Sequence, residues 1–159
     1  MSRTEITFIS DSFIDDFIGG AALCDEELIC CLRKKYKVNK IKSGDFNLIN
    51  AMELKESFFI LSNFFHLHPD LSYFIKEHCS YAIYAHDYKF VTHTNPNLYP
   101  EFLVKKEDLI NLSLYYNSKG VICQSLFQEK IHRKNLKEGT TTLNISGNFW
   151  SVESLERLL

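Results

Sequence analysis

The chain predicts an α/β fold, a mostly parallel sheet of about six strands wrapped on both faces by helices. Three observations carry that expectation. Short continuous apolar runs such as Ile6-Thr7-Phe8-Ile9 and Tyr81-Ala82-Ile83-Tyr84-Ala85 read as buried strands. Stretches of helical period lie between these runs. No internal repeat, low-complexity tract or linker divides the 159 residues, so 1–159 reads as one domain.

The first strand is expected at about Glu5 to Ser10. A helix follows from about Ala21 to Lys35, with Cys24, Leu28, Cys31 and Leu32 along one face. Asp25, Glu26 and Glu27 fall in its first turns and Arg33, Lys34 and Lys35 in its last, an order that complements the helix dipole. Val38 to Ile41 reads as a second strand interrupted by lysines. A short helical or irregular piece at about Phe46 to Leu54 leads to a third strand at Phe58 to Leu61. Pro69 and Asp70 open a helix carrying Leu71, Phe74, Ile75 and His78 on one side. The fourth strand is Tyr81 to Ala85, followed by a polar segment without periodicity to Pro100. A helix is expected from about Lys105 to Tyr116, with Leu109, Leu112 and Tyr116 on one stripe. Gly120 to Cys123 forms the fifth strand, and Ser125 caps a helix to about Lys134. A sixth strand at about Thr141 to Ile145 and a helix from Ser151 to Leu159 complete a Rossmann-like three-layer sandwich.

Length alone allows a chain of this size to bury roughly 70% of its unfolded surface. The net charge of −2 offers no general attraction for nucleic acid or an anionic membrane, and no nucleic-acid partner is expected. No apolar run approaches the roughly 20 residues needed to cross a bilayer, and no signal peptide is expected, since Met1-Ser2-Arg3-Thr4 leads directly into the first strand. The five cysteines, Cys24, Cys30, Cys31, Cys79 and Cys123, have no C-x-x-C spacing. They read as small core residues in a reducing, cytoplasmic setting.

In an open α/β sheet, ligands bind beyond the carboxyl ends of the strands. Two dipeptides fall there. Gly19-Gly20 opens a helix after the first strand, where backbone N–H groups favour an anion and the missing side chains let a ligand approach; a flexible turn is the plainer reading. G-x-G-x-x-G is absent, and the preceding loop holds Asp11, Asp15 and Asp16, which suit sugar hydroxyls or a second domain better than a phosphate cradle. His86-Asp87 ends the fourth strand. Its imidazole can donate to an oxygen, and its carboxylate can accept from a hydroxyl or act as a base. The pair reads equally as a capped turn beside a solvated histidine.

His66-Leu67-His68 follows the third strand, with one imidazole facing the cleft and the other capping the next helix. With His86 and His93 these invite zinc, but no motif fixes a third ligand, and neither a metal nor another cofactor is expected. Lys89 and His93 are candidates for a ligand's charge. Asn148, after Gly147, can read a hydroxyl from the turn beyond the sixth strand.

Taken in order, these pieces resemble the N-terminal domain of retaining, nucleotide-sugar-dependent glycosyltransferases of the GT-B type. The residues that carry the resemblance are Ile6–Ser10 with Phe17-Ile18-Gly19-Gly20-Ala21-Ala22, Phe59–His68, Tyr84-Ala85-His86-Asp87, Gly120–Ser125 and Leu143–Asn148. Ala21-Ala22 stands where the family often has an acid. The resemblance implies an acceptor-side domain, with the nucleotide-sugar donor held between it and a second domain or subunit. It implies a carbohydrate or lipid-linked acceptor, Gly19 and Gly20 near the donor diphosphate, His86 facing the transferring sugar, and Asp87 holding a loop or hydroxyl. An inverting variant would need a base, for which Asp11 is a second candidate. Alone, the chain is then expected to transfer little sugar. The alternatives are a non-catalytic glycan-binding module on the same scaffold and a small metal-dependent hydrolase.

Overall fold

The computed structural model describes residues 4–148 and 150–156. Six strands, β1 (Glu5–Ser10), β2 (Lys37–Lys42), β3 (Phe58–Leu61), β4 (Ser80–Ala85), β5 (Val121–Cys123) and β6 (Thr142–Asn144), pair in parallel throughout. Their order is β2-β1-β3-β4-β5-β6. The chain winds one way from β1 to β2 and the other way from β3 onward, so the switch point lies between β1 and β3. The expected fold class is the observed one.

Helices α1 (Gly20–Arg33), α2 (Leu48–Glu53), α3 (Pro69–His78), α4 (Leu112–Asn117), α5 (Leu126–Asn135) and α6 (Val152–Glu156) cover the sheet. Side chains alternate strictly between its faces, as strand pleating requires. Ile6, Phe8, Ile60 and Tyr84 pack with Cys24 and Ile29 of α1. Ile9, Phe59, Leu61, Tyr81, Ile83 and Val121 join the larger core, with Ala51, Leu71, Ile75, Leu114 and Ile131 of α2 to α5. Glu27 of α1 accepts hydrogen bonds from the hydroxyls of Ser151 and Ser154, which docks the start of α6. Residues 157–159, the expected end of that helix, lie outside the described residues.

Several expectations are corrected. In α1 the buried residues are Ala22, Leu23, Cys24, Asp25 and Ile29, so the inward face is rotated from the expected stripe. Asp25 is no dipole-complementing surface acid; it is wholly buried. Cys30 and Cys31 are exposed rather than core, while Cys24 and Cys123 are buried. Burial pushes the Cys123 thiol up to about 12. The helix expected over Lys105–Tyr116 is split. Asn111 takes a left-handed conformation (φ 54°), donating from Nδ2 to the Lys89 carbonyl, and the Ile110 N–H bonds Phe90 O. Val91 and Leu109 form an isolated antiparallel bridge. Helical period lost here because pairing with the loop after β4 satisfies the same backbone groups.

The lysines that interrupt the second run have a simple place. β2 is an outer strand, where cationic side chains are tolerated and discourage edge pairing. Lys40 reaches Asp15 at 3.0 Å and Glu26 at 2.9 Å, and Lys42 reaches Asp16 at 2.5 Å. The acidic loop before the glycine pair is thereby tied to β2 and α1. Among the described residues no helix is long and apolar enough to cross a membrane.

Candidate functional site

Parity along the strands builds the site. Ser10 ends β1, Ser62 follows β3, His86 follows β4 and Gln124 follows β5. Each continues the set of residues pointing to the α1 face, so four adjacent strands present Ser10, Ser62, His86 and Gln124 in a row on one side of the carboxyl rim. Asp25 comes down from α1 into that row. Its carboxylate accepts from Ser10 Oγ at 3.0 Å, from Ser62 Oγ at 2.7 and 2.9 Å, and from His86 Nε2 at 2.7 Å. Gln124 Nε2 meets His86 Nδ1 on the ring's other side. With the amide donating there, Nδ1 is the acceptor and the ring proton sits on Nε2, facing Asp25. Gln128 completes the row, accepting from Gln124 N–H at 2.7 Å and donating to Ala85 O at 3.1 Å.

The opposite side of the rim carries residues of the other parity. Asp11 accepts from the backbone N–H groups of Phe65 and His66, each at 3.0 Å, and from the Ser43 hydroxyl. Its oxygens hold the loop after β3 against β1 and β2. His66 is exposed, with Nδ1 3.3 Å from Asp11. His68 caps α3, its Nδ1 accepting from Asp70 N–H at 3.3 Å, as one of the two imidazoles was expected to do. Lys89, almost fully buried, donates to Asn63 Oδ1 at 2.6 Å and to Asp87 Oδ1 at 2.5 Å, and its ammonium lies 4.8 Å from the Phe65 ring centroid. Asp87 is partly exposed (37% of its side chain), whereas His86 is nearly enclosed (7%).

Below Asp87 lies an aromatic box. His132 is fully buried among Tyr88, Phe90 and Tyr115, with ring centroids 5.4, 5.0 and 6.1 Å away. Its Nδ1 donates to Gln128 O at 2.9 Å, while Nε2 has no hydrogen-bond partner among the described residues. Burial drives its pKa down to about 4, partly opposed by the Gln128 carbonyl and the Asp87 charge.

The glycine pair starts α1 five residues before Asp25, about one and a half turns away. Gly19 is the N-cap, in extended conformation (φ −147°), and contributes no side-chain cap. Neither glycine has the positive φ that would demand one. A Cβ on Gly19 would lie 2.6 Å from the exposed Phe17 ring, and one on Gly20 would lie 3.4 Å from Trp150.

The structure thus brings Gly19-Gly20, Asp11, His66, His86, Asp87 and Lys89 to the carboxyl rim. Asn148 is exposed in the turn after β6, beyond Gly147 (φ 145°), at the outer end of the sheet and outside this cluster. Sequence reasoning missed Ser10, Asp25, Ser62 and Gln124. The signal available was strand parity, which puts the residue after each apolar run in register with its neighbours. No group of three or more His, Cys, Asp or Glu side chains able to hold a metal ion occurs among the described residues.

These features define a doubly wound α/β domain with a polar rim at its switch point. The chain matches no protein-family model and no curated protein.

Proposed function

We propose that this chain supplies the acceptor side of a sugar-transfer site that uses a nucleotide-sugar donor. The observation that carries the reading is the shared rim: through Asp25, α1 links the glycine turn at its start to His86-Asp87 at the end of β4. Two glycines that no dihedral requires stand at the start of a 14-residue helix, where a diphosphate is favoured. In transfer, an acceptor hydroxyl bonds to the anomeric carbon and gives its proton to the Asp87 carboxylate, while the sugar–phosphate bond breaks and its electron pair leaves with the diphosphate. N–H donors near that leaving group stabilise the developing charge. Asp87, with one oxygen on Lys89 and the other without a hydrogen-bond partner among the described residues, suits the acceptor hydroxyl. His86 acts one layer back, as a positioning residue held between Asp25 and Gln124.

One observation favours the second reading, recognition of a glycan without chemistry. Both His86 nitrogens are engaged internally, which leaves the ring none to offer a transferring sugar. An amide-resolved NMR titration with UDP-, GDP- and ADP-hexoses separates the two. Shifts confined to residues 19–22 and 86–89, weakened by Asp87→Asn, are expected. Glycan binding without any nucleotide-sugar response would favour recognition alone. Shifts at the amino edge of the sheet would overturn both. Brisk sugar transfer by the 159-residue chain alone would refute a site shared with a second domain or subunit.

A further inference from the structure

A groove of about 500 Å³ opens between α3 and α4, a volume that suits a small organic ligand. Its buried lining is apolar, from Phe64, Leu67 and Leu114, and the exposed rings of Phe65 and Tyr73 extend it toward water. Two lysines complete it. The Lys76 ammonium lies 4.5 Å from the Tyr73 ring centroid, and the Lys89 ammonium lies 4.8 Å from that of Phe65. Each of these rings thus holds a positive charge beside it. The other polar side chains of the lining, Ser72, Asn111 and Ser113, are neutral, and no carboxylate is among the lining residues. The acids that pair with the lysines, Glu77 at 2.8 Å from Lys76 and Asp87 at 2.5 Å from Lys89, stand outside the lining and are partly exposed to water. Lys89 is almost fully buried and donates to Asn63 and Asp87, so its third proton has no partner among the described residues.

We propose that this groove binds a small organic acid as its carboxylate, with an apolar body on Phe64, Leu67 and Leu114 and its charged head at Lys89. The head accepts the spare Lys89 proton in a charge-assisted hydrogen bond, and Lys76 adds a second positive charge to the same lining. A neutral ligand with the same body forgoes that bond. A cation meets two like charges with no acid in the lining to pair it. A small anion without an apolar body leaves the buried lining uncovered and loses the gain from removing it from water. No residue of α1 lines the groove, so the site is independent of the sugar-transfer reading.

Amide-resolved NMR titration of the full chain with decanoate, 1-decanol, decylammonium and acetate, each below its aggregation concentration, tests this. Decanoate should give saturable shifts centred on residues 64–76 and 110–114. It should bind roughly tenfold tighter than 1-decanol, the preference that a hydrogen bond to a charged group supplies. Decylammonium and acetate should both bind more weakly than 1-decanol. Lys76 is partly exposed on α3, so Lys76→Gln should melt like the parent. That variant should lower decanoate affinity roughly threefold and leave 1-decanol unchanged, a split that a merely apolar surface would not show. Lys89→Met should erase the remaining preference; if it does not fold, the Lys76→Gln ratio still decides. Equal affinity for decanoate and 1-decanol, a preference for decylammonium, acetate as tight as decanoate, shifts centred elsewhere, no saturation, or a ratio indifferent to Lys76→Gln would each overturn the proposal. Nucleotide-sugar shifts at residues 19–22 are read separately, so each site can fail without the other.

Discussion

The two sides of the carboxyl rim are built from the same strand ends and are wired differently. On the α1 side Ser10, Ser62, His86 and Gln124 converge on or beside Asp25, and both oxygens of that buried carboxylate are taken. On the α3–α4 side Lys89 and Asp87 hold each other; Lys89 lies in the lining of an open groove, and Asp87 is partly exposed. A buried polar network with every member paired rigidifies its surroundings. Spare capacity next to a cavity is what a ligand can use. The buried α1 side thus serves as support, and the partly exposed side is open to contact.

The largest effect should come from breaking the support. Asp25→Ala leaves Ser10, Ser62 and His86 buried without their common acceptor, and should cost about 3–5 kcal/mol in urea unfolding. A loss below about 1 kcal/mol would mean that the network carries little and that the two sides do not differ as argued.

Next in size is a pH effect beneath the contact side. His132 is held neutral when folded, with a pKa near 4 against 6.5 when free. Between those values the unfolded chain binds the extra proton, so stability present above pH 6.5 is lost as pH falls toward 4. The expected loss is about 3 kcal/mol, seen as a falling unfolding midpoint. His132→Phe should flatten that dependence; an unchanged slope would assign it to other groups.

Ser62→Ala removes one donor from Asp25 and should cost about 1–3 kcal/mol. Measured with Ser10→Ala in a double-mutant cycle, the two should be non-additive because they share one carboxylate. Strict additivity would argue that the two hydroxyls act separately.

The smallest change sharpens the assignment of the glycine turn. Gly20→Ala relieves helix entropy and should stabilise by no more than about 1 kcal/mol, with its Cβ in tolerable contact with Trp150. The same variant should weaken nucleotide-sugar binding at the start of α1. Gain of stability with unaltered binding would reduce the glycines to a turn.

Much of the architecture was legible beforehand. β1 and β3 have the bounds their apolar runs predicted, and Pro69, Ser125 and Ser151 mark helix starts by local chemistry that needs no distant partner. The helix over Lys105–Tyr116 was misread because its apolar spacing is also compatible with a bridge to Val91, and only the loop after β4 decides between them. Asp25 was misread for a related reason. An acid near a helix start normally faces water, and nothing in its neighbours along the chain reveals three donors waiting on separate strands.

The alternation of apolar runs with helical periods determined the parallel sheet, its faces and the rim on which strand-end residues gather, since pleat and helical period are local properties of the backbone. Strand order, the burial of Asp25, the internal bonding of both His86 nitrogens and the groove beside Lys89 were decided only by tertiary structure. They depend on groups 15 to 61 residues apart meeting where water is excluded, and only packing sets such meetings.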